Sequence, residues 1–76
     1  MGDVLSVQPH SLAANLRRLR RDHGQSLQDV ADAIGASKTY IWELEKGRHD
    51  NPTIKLAAKL AKHFGVGITK LIGEKE

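Results

Sequence analysis

The chain has 76 residues, with 12 Lys and Arg against 9 Asp and Glu, a formal net charge of +3 and no cysteine. This length predicts one small domain, and the missing cysteine excludes disulfides and cysteine-based metal sites. No apolar run approaches the ~20 residues that cross a bilayer, and the N-terminus lacks the order of a signal peptide, so we expect a cytoplasmic protein.

The first segment divides into an arm and a helix. Residues 1–10 show no sustained helical period and are predicted to form a flexible N-terminal arm. Leu12, Leu16 and Leu19 then recur at helical spacing, which predicts helix 1 up to about His23. The arginines between these leucines are expected to face mainly solvent.

Helix 2 and the turn after it carry strong local signals. Ser26 is a good N-cap, and Asp29 stands three residues later, where a capping acid belongs. Gly35 permits the left-handed backbone that a sharp turn between helices needs, and Ser37 is the predicted cap of helix 3. The expected buried face of helix 2 consists of Val30, Ala31 and Ile34.

Helix 3 is predicted to have two different faces. Ile41, Leu44 and Glu45 share one face and are expected to point inward. The other face is expected to point outward and consists of Lys38, Thr39, Trp42, Glu43 and Lys46.

Two further helices complete the chain. Thr53 is the predicted cap of helix 4. Apolar residues then recur every three or four positions and are expected to point inward: Ile54, Ala57, Leu60, Ala61 and Phe64. The opposite face carries Lys55, Lys59 and Lys62, and a short fifth helix carries Ile68, Leu71 and Ile72. With no strand pattern, the predicted fold class is all-α, with a domain over residues 11–73 and a charged tail at 74–76.

This pattern resembles the phage-repressor and Cro-type helix-turn-helix domains of the XRE family. The resemblance covers about Leu12 to Gly73 and implies a compact, lambda-repressor-like five-helix domain whose third helix enters the DNA major groove. The residues that carry it are Leu16, Leu19, Arg20, Gly24, Ser26, Leu27, Asp29, Val30, Ala31, Gly35, Ser37, Ile41, Leu44, Glu45, Gly47, Pro52, Phe64, Gly65, Val66 and Leu71.

The resemblance also implies an ion pair between Arg20 and Glu45. Reasoning from the residues agrees, because an inward carboxylate on helix 3 needs a partner. The alternative is that Glu45 is a solvated surface residue.

Four outward residues of helix 3 are the candidate base contacts. Lys38 can donate to guanine or instead bind a phosphate, and Thr39 can hydrogen-bond a base or touch a thymine methyl. Glu43 can accept from cytosine or instead pair within the helix with Lys46 or Thr39. Trp42 can touch thymine methyls or sugars, or it can pack over Lys38, Arg48 or the neighbouring loop.

Candidate phosphate contacts surround this face. They are Gln28, Ser37, Tyr40, Lys46, Arg48 and Thr53. Tyr40 has a structural alternative, which is packing against helix 2. Two positions depart from the family pattern. Leu27 stands where many members have a phosphate-gripping glutamine, with Gln28 beside it as the candidate substitute, and Asp50 makes the loop after helix 3 less basic.

The expected function is sequence-specific binding of double-stranded DNA by a transcriptional regulator, most often a repressor, acting as a homodimer on a palindromic operator. Apolar residues that can form a dimer surface or simply belong to the core are Val4, Leu5, Val7, Leu56, Ile68, Leu71 and Ile72. No catalytic motif, metal site, cofactor, small-molecule ligand or membrane contact is predicted. The alternative is a protein-interaction or adaptor module, including an antitoxin-type partner, built on the same fold.

Overall fold

The computed structural model describes residues 9–48 and 53–72. Within them the chain forms α1 (Pro9–Asp22), α2 (Leu27–Ile34), α3 (Lys38–Glu45), α4 (Ile54–Phe64) and α5 (Ile68–Ile72), and no strand. The predicted all-α fold with five helices is confirmed. The first eight residues of the predicted arm, the loop 49–52 with Asp50, and residues 73–76 with the predicted tail 74–76 lie outside the described residues.

Side-chain caps set the beginnings of three helices. At α2, the Ser26 hydroxyl accepts a hydrogen bond from the Asp29 amide at 3.0 Å, and the Asp29 carboxylate accepts one from the Ser26 amide at 2.9 Å. Ser37 caps α3 by accepting from the Tyr40 amide at 3.0 Å, and Thr53 caps α4 in the same way. The three caps predicted from the sequence are confirmed.

One apolar core lies between the helices. α2 packs against α3 and α4, while α1 packs against α3 and α5, so α3 is held from both sides. The core consists of Leu12, Leu16, Leu19, Val30, Ala31, Ile34, Ile41, Leu44, Ala57, Leu60, Ala61, Phe64 and Leu71. Asn15 also ties α1 to the end of α5, because its side-chain amide donates to the Leu71 carbonyl at 2.9 Å.

The prediction for the start of α4 was wrong at Ile54, whose side chain is 76% exposed. Side chains of a helix tilt toward its N-terminus, so the first side chain of α4 points past the layer that covers the core. Leu56, for which the sequence left open a dimer surface or the core, is half-buried and packs against the core.

The apolar residues considered for a dimer surface are mostly part of the fold. Leu71 is fully buried, and Ile68 and Ile72 pack against the core together with Leu56. Val4, Leu5 and Val7 lie outside the described residues. Among the described helices, none combines the length and the apolar character required to traverse a membrane.

Candidate nucleic-acid interface

The two faces of α3 differ sharply in burial. Ile41 and Leu44 are 0% and 1% exposed, whereas Lys38 and Thr39 are open to solvent. Trp42 is 39% exposed, and Glu43 is half-buried. We call Lys38, Thr39, Trp42 and Glu43 the reading face. The structure brings these four predicted residues together on one side of one helix.

A tight turn fixes the angle at which α3 leaves α2. Gly35 has φ +73°, a left-handed conformation that is strained for any residue with a side chain. The Ala36 amide donates to the Ala31 carbonyl at 2.9 Å, which satisfies one of the carbonyls at the end of α2. The turn therefore ends α2 and leads directly to the Ser37 cap of α3.

A bidentate ion pair holds α3 from its inner side. Arg20 Nε donates to Glu45 Oε2 at 2.6 Å, and Arg20 Nη2 donates to Glu45 Oε1 at 3.0 Å. The two side chains are only 17% and 7% exposed. The hydrogen bond to the Glu45 carboxylate raises the pKa of the Arg20 guanidinium, against the opposing effect of its partial burial. The pair implied by the resemblance is present in the structure, and we call this Arg20–Glu45 ion pair the brace.

The loop between α1 and α2 adds contacts to the brace that no sequence pattern predicted. Arg20 Nη1 donates to the Gln25 carbonyl at 2.9 Å, and the Gln25 side-chain oxygen lies 2.7 Å from His63 Nε2. The rings of His23 and His63 both meet Phe64 edge to face, with centroids 5.1 and 4.8 Å away. Because Gln25 and His63 are 38 residues apart, only the tertiary fold reveals the contact.

The predicted phosphate contacts differ in their hydrogen bonds and in their burial. The Ser37 and Thr53 hydroxyls accept backbone hydrogen bonds as caps, so each keeps an O–H that can donate to a phosphate. Gln28 instead donates to the Asp32 carboxylate at 2.8 Å, an exposed contact. Tyr40 is half-buried and packs against the core.

Two cations accompany Trp42 at the end of α3. Lys46 Nζ lies 5.7 Å and Arg48 Cζ 5.0 Å from the centre of the Trp42 ring. Packing with Arg48 was one of the predicted alternatives for Trp42, and that packing is present.

The exposed lysine row of α4 is a second group of positive charges. Lys55 and Lys59 line a groove with Gly35 and Ala36 of the α2–α3 turn. Two lysines of this row therefore lie beside the turn that leads into the N-terminus of α3.

Comparison with known proteins agrees with this geometry. A family model described as a helix-turn-helix domain matches residues 11–71. The chain belongs to the helix-turn-helix domain family. An uncharacterised HTH-type transcriptional regulator of Methanocaldococcus jannaschii is 43% identical to this domain over 53 residues, which are 70% of this chain and 79% of the relative.

Solved structures give the same result. The crystal structure of the clp gene regulator ClgR from C. glutamicum superposes on this helix-turn-helix domain with a TM-score of 0.76 and 32% identity, covering 87% of this chain and 84% of that one. The N-terminal DNA-binding domain of SinR from Bacillus subtilis gives a TM-score of 0.78 and 27% identity, with coverage of 88% and 97%.

These relatives differ in how much of their length the domain represents. The chain spans 58% of the B. subtilis SinR sequence, although it matches nearly all of the solved SinR DNA-binding domain. The predicted phage-repressor and Cro-type resemblance is confirmed, and so is the predicted class of function, DNA-binding transcriptional regulation. The individual DNA contacts remain predictions.

Proposed function

We propose that this domain binds double-stranded DNA sequence-specifically by placing α3 in the major groove, as the DNA-binding part of a transcriptional repressor. The observation that carries the proposal is the contrast within α3. Its inner side is buried and braced by Arg20 and Glu45, while its outer side presents donors, an acceptor and an aromatic ring. A major groove about 12 Å wide admits one such helix.

In this proposal the first turns of α3 read the bases. Lys38 donates to guanine O6 and N7, Thr39 bonds a base or contacts a thymine methyl, and Glu43 accepts from cytosine N4. Trp42 contributes apolar contact with thymine methyls or sugars. The exposure of Lys38, Thr39 and Trp42 supports these assignments.

The same docking places candidate phosphate contacts around the groove. The Ser37 and Thr53 hydroxyls lie at the N-termini of α3 and α4, where backbone amides and the helix dipole favour anions. Lys46 and Arg48 are both exposed at the opposite end of α3. Gln28 would need to exchange its bond to Asp32 for a phosphate, and Tyr40 would reach one only through its hydroxyl.

The proposal includes a homodimer on a palindromic operator. One helix of this size contacts few base pairs, so specificity is expected from two copies on half-sites about 34 Å apart. Measuring the mass of the complex on a palindromic duplex would give two chains per duplex under this proposal. The proposal contains no enzymatic step and keeps the cytoplasmic location expected from the sequence.

Salt dependence of binding tests the DNA proposal. Affinity for a labelled duplex should fall roughly a thousandfold between about 50 and 200 mM salt if about six phosphates are engaged. Arg48→Ala should lower the salt slope by about one, because it removes one phosphate contact.

Lys70→Ala is the matched control, since it removes the same charge from α5, which packs on α1 and α4. It should leave the slope unchanged. Failure of the wild-type protein to bind any duplex at low salt would contradict the proposal and favour a protein-interaction module instead.

A further inference from the structure

Trp42 is the only tryptophan of the chain and stands on the reading face with part of its ring exposed. Two cations lie close to that ring: Arg48 Cζ at 5.0 Å and Lys46 Nζ at 5.7 Å from its centre. Both distances fall within the ~6 Å at which a cation is attracted by an aromatic face. The ring therefore has electrostatic partners of its own, in addition to any base it touches.

The backbone explains why both cations reach the ring. Lys46 follows Trp42 by four residues and so lies on the same side of the helix. The chain then reverses at Gly47, whose φ is +73°. The Gly47 amide donates to the Leu44 carbonyl at 3.1 Å and the Arg48 amide to the Glu43 carbonyl at 3.0 Å, the paired bonds of a Schellman motif. This reversal returns Arg48 to the last turn of α3.

We propose that Trp42 is a positioning residue, an aromatic platform that holds Arg48 and Lys46 at the C-terminal end of α3 so that they meet DNA phosphates. The inference rests on the proposed function and deepens it. A long cationic side chain loses rotamer freedom when it binds a phosphate, and a cation already held by a ring loses less. A guanidinium over a ring also keeps N–H donors at its edge for a phosphate.

This role differs measurably from base reading by Trp42. A ring that only reads thymine methyls sets the preferred sequence, and its loss changes that preference. A ring that positions cations raises affinity for every duplex, and its loss weakens all duplexes alike. The positioning role also makes the contributions of Trp42 and Arg48 interdependent.

A double-mutant cycle tests that interdependence. Affinities of the wild type, Trp42→Leu, Arg48→Ala and the double variant are measured on a duplex of arbitrary sequence. Trp42→Leu should weaken binding about five- to tenfold, because Lys46 and Arg48 are no longer held in place and must lose more rotamer freedom when they bind phosphates. Arg48→Ala should cost clearly less affinity, and change the salt slope less, in the Trp42→Leu background than in the wild type.

Trp42→Phe is the conservative variant, since it keeps an aromatic face, and it should retain most of the affinity. Thr39→Ala is the control on the same face and should show independent, multiplicative effects with Arg48→Ala. Thermal unfolding of each variant checks that the fold is unchanged. Multiplicative effects of Trp42→Leu and Arg48→Ala, or a Trp42→Phe as weak as Trp42→Leu, would overturn the inference.

A measurement without DNA separates this inference from the proposed function. Because Trp42 is the sole tryptophan, its fluorescence reports directly on the neighbouring cations. Arg48→Ala should change the emission of the free protein, whereas Lys70→Ala should not. Unchanged emission would contradict the platform even if the wild type binds DNA. Changed emission with no DNA binding would instead show that the proposed function fails while the platform exists.

Discussion

The inner and outer faces of α3 differ sharply in burial within one eight-residue helix, and the proposed function assigns them different tasks. The inner face, with Ile41 and Leu44, is sealed in the core and fixed through the Glu45 carboxylate. The reading face contributes little to the core, and its polar and aromatic side chains are accessible to solvent. Under the proposed function, stability depends on one side of this helix and DNA recognition on the other, so substitutions on the two sides should have separable effects.

Leu44→Ala gives the largest expected effect on stability. Leu44 is 1% exposed, and truncating a buried leucine costs about 2–5 kcal/mol through lost burial and the cavity left behind. Urea denaturation measures this loss. Thr39→Ala on the reading face should stay within about 0.5 kcal/mol of the wild type. Equal effects of the two substitutions would erase the proposed difference between the faces.

The next largest effect is expected at the brace. Arg20→Met leaves the nearly buried Glu45 carboxylate without its partner and should destabilise the domain by about 2–3 kcal/mol, somewhat less than for a fully buried pair. The double variant Arg20→Met with Glu45→Met should recover much of that loss, because no unpaired charge remains. A double variant whose losses simply add would show that the pair is not the source of the effect.

The charge of Arg20, and therefore its contribution to stability, should not change with pH in the ordinary range. Since the pKa of Arg20 is raised in the fold, its stabilising contribution is fully present below the ordinary pKa of arginine. That contribution is lost only as the pH rises through the still higher folded value. The measurement is the free energy of unfolding of the wild type and of Arg20→Met between about pH 6 and 9. Titration of Arg20 should add no pH dependence to the difference between them in this range.

Ser37 caps α3 and is also a predicted phosphate contact. A smaller effect on stability is expected from its substitution. Ser37→Ala removes the cap of α3 and should cost about 1 kcal/mol of stability together with some DNA affinity. Ser37→Asp keeps a capping oxygen but adds a negative charge beside the predicted phosphate contact. It should therefore restore stability and weaken DNA binding further. Recovery of both properties in Ser37→Asp would remove Ser37 from the phosphate contacts.

Features that depend on neighbouring residues were accessible from the sequence. The caps at Ser26, Ser37 and Thr53, and the two faces of α3, follow from spacing of a few residues. The Arg20–Glu45 pair required the family resemblance as well as the inward position of Glu45. In each case a short-range rule or a recurring pattern fixes the arrangement.

Features that depend on how the helices pack were not accessible. The exposure of Ile54 and the partial burial of Leu56 depend on where α4 begins relative to the core, which periodicity alone does not give. The contact between Gln25 and His63 joins segments far apart in sequence. The position of Arg48 over Trp42 depends on the chain reversal at Gly47, so the sequence offered it only as one alternative among several.

Selection of bound sequences from a random duplex pool tests the separation of the two faces most directly. The wild type should enrich a defined motif. Lys38→Ala should unfold at the same temperature as the wild type yet enrich an altered motif, with discrimination reduced by about 1–3 kcal/mol at the affected base pair. A wild-type protein that enriches no motif, or a Lys38→Ala variant that enriches the wild-type motif unchanged, would contradict the assignment of Lys38 and its neighbours to the reading of DNA.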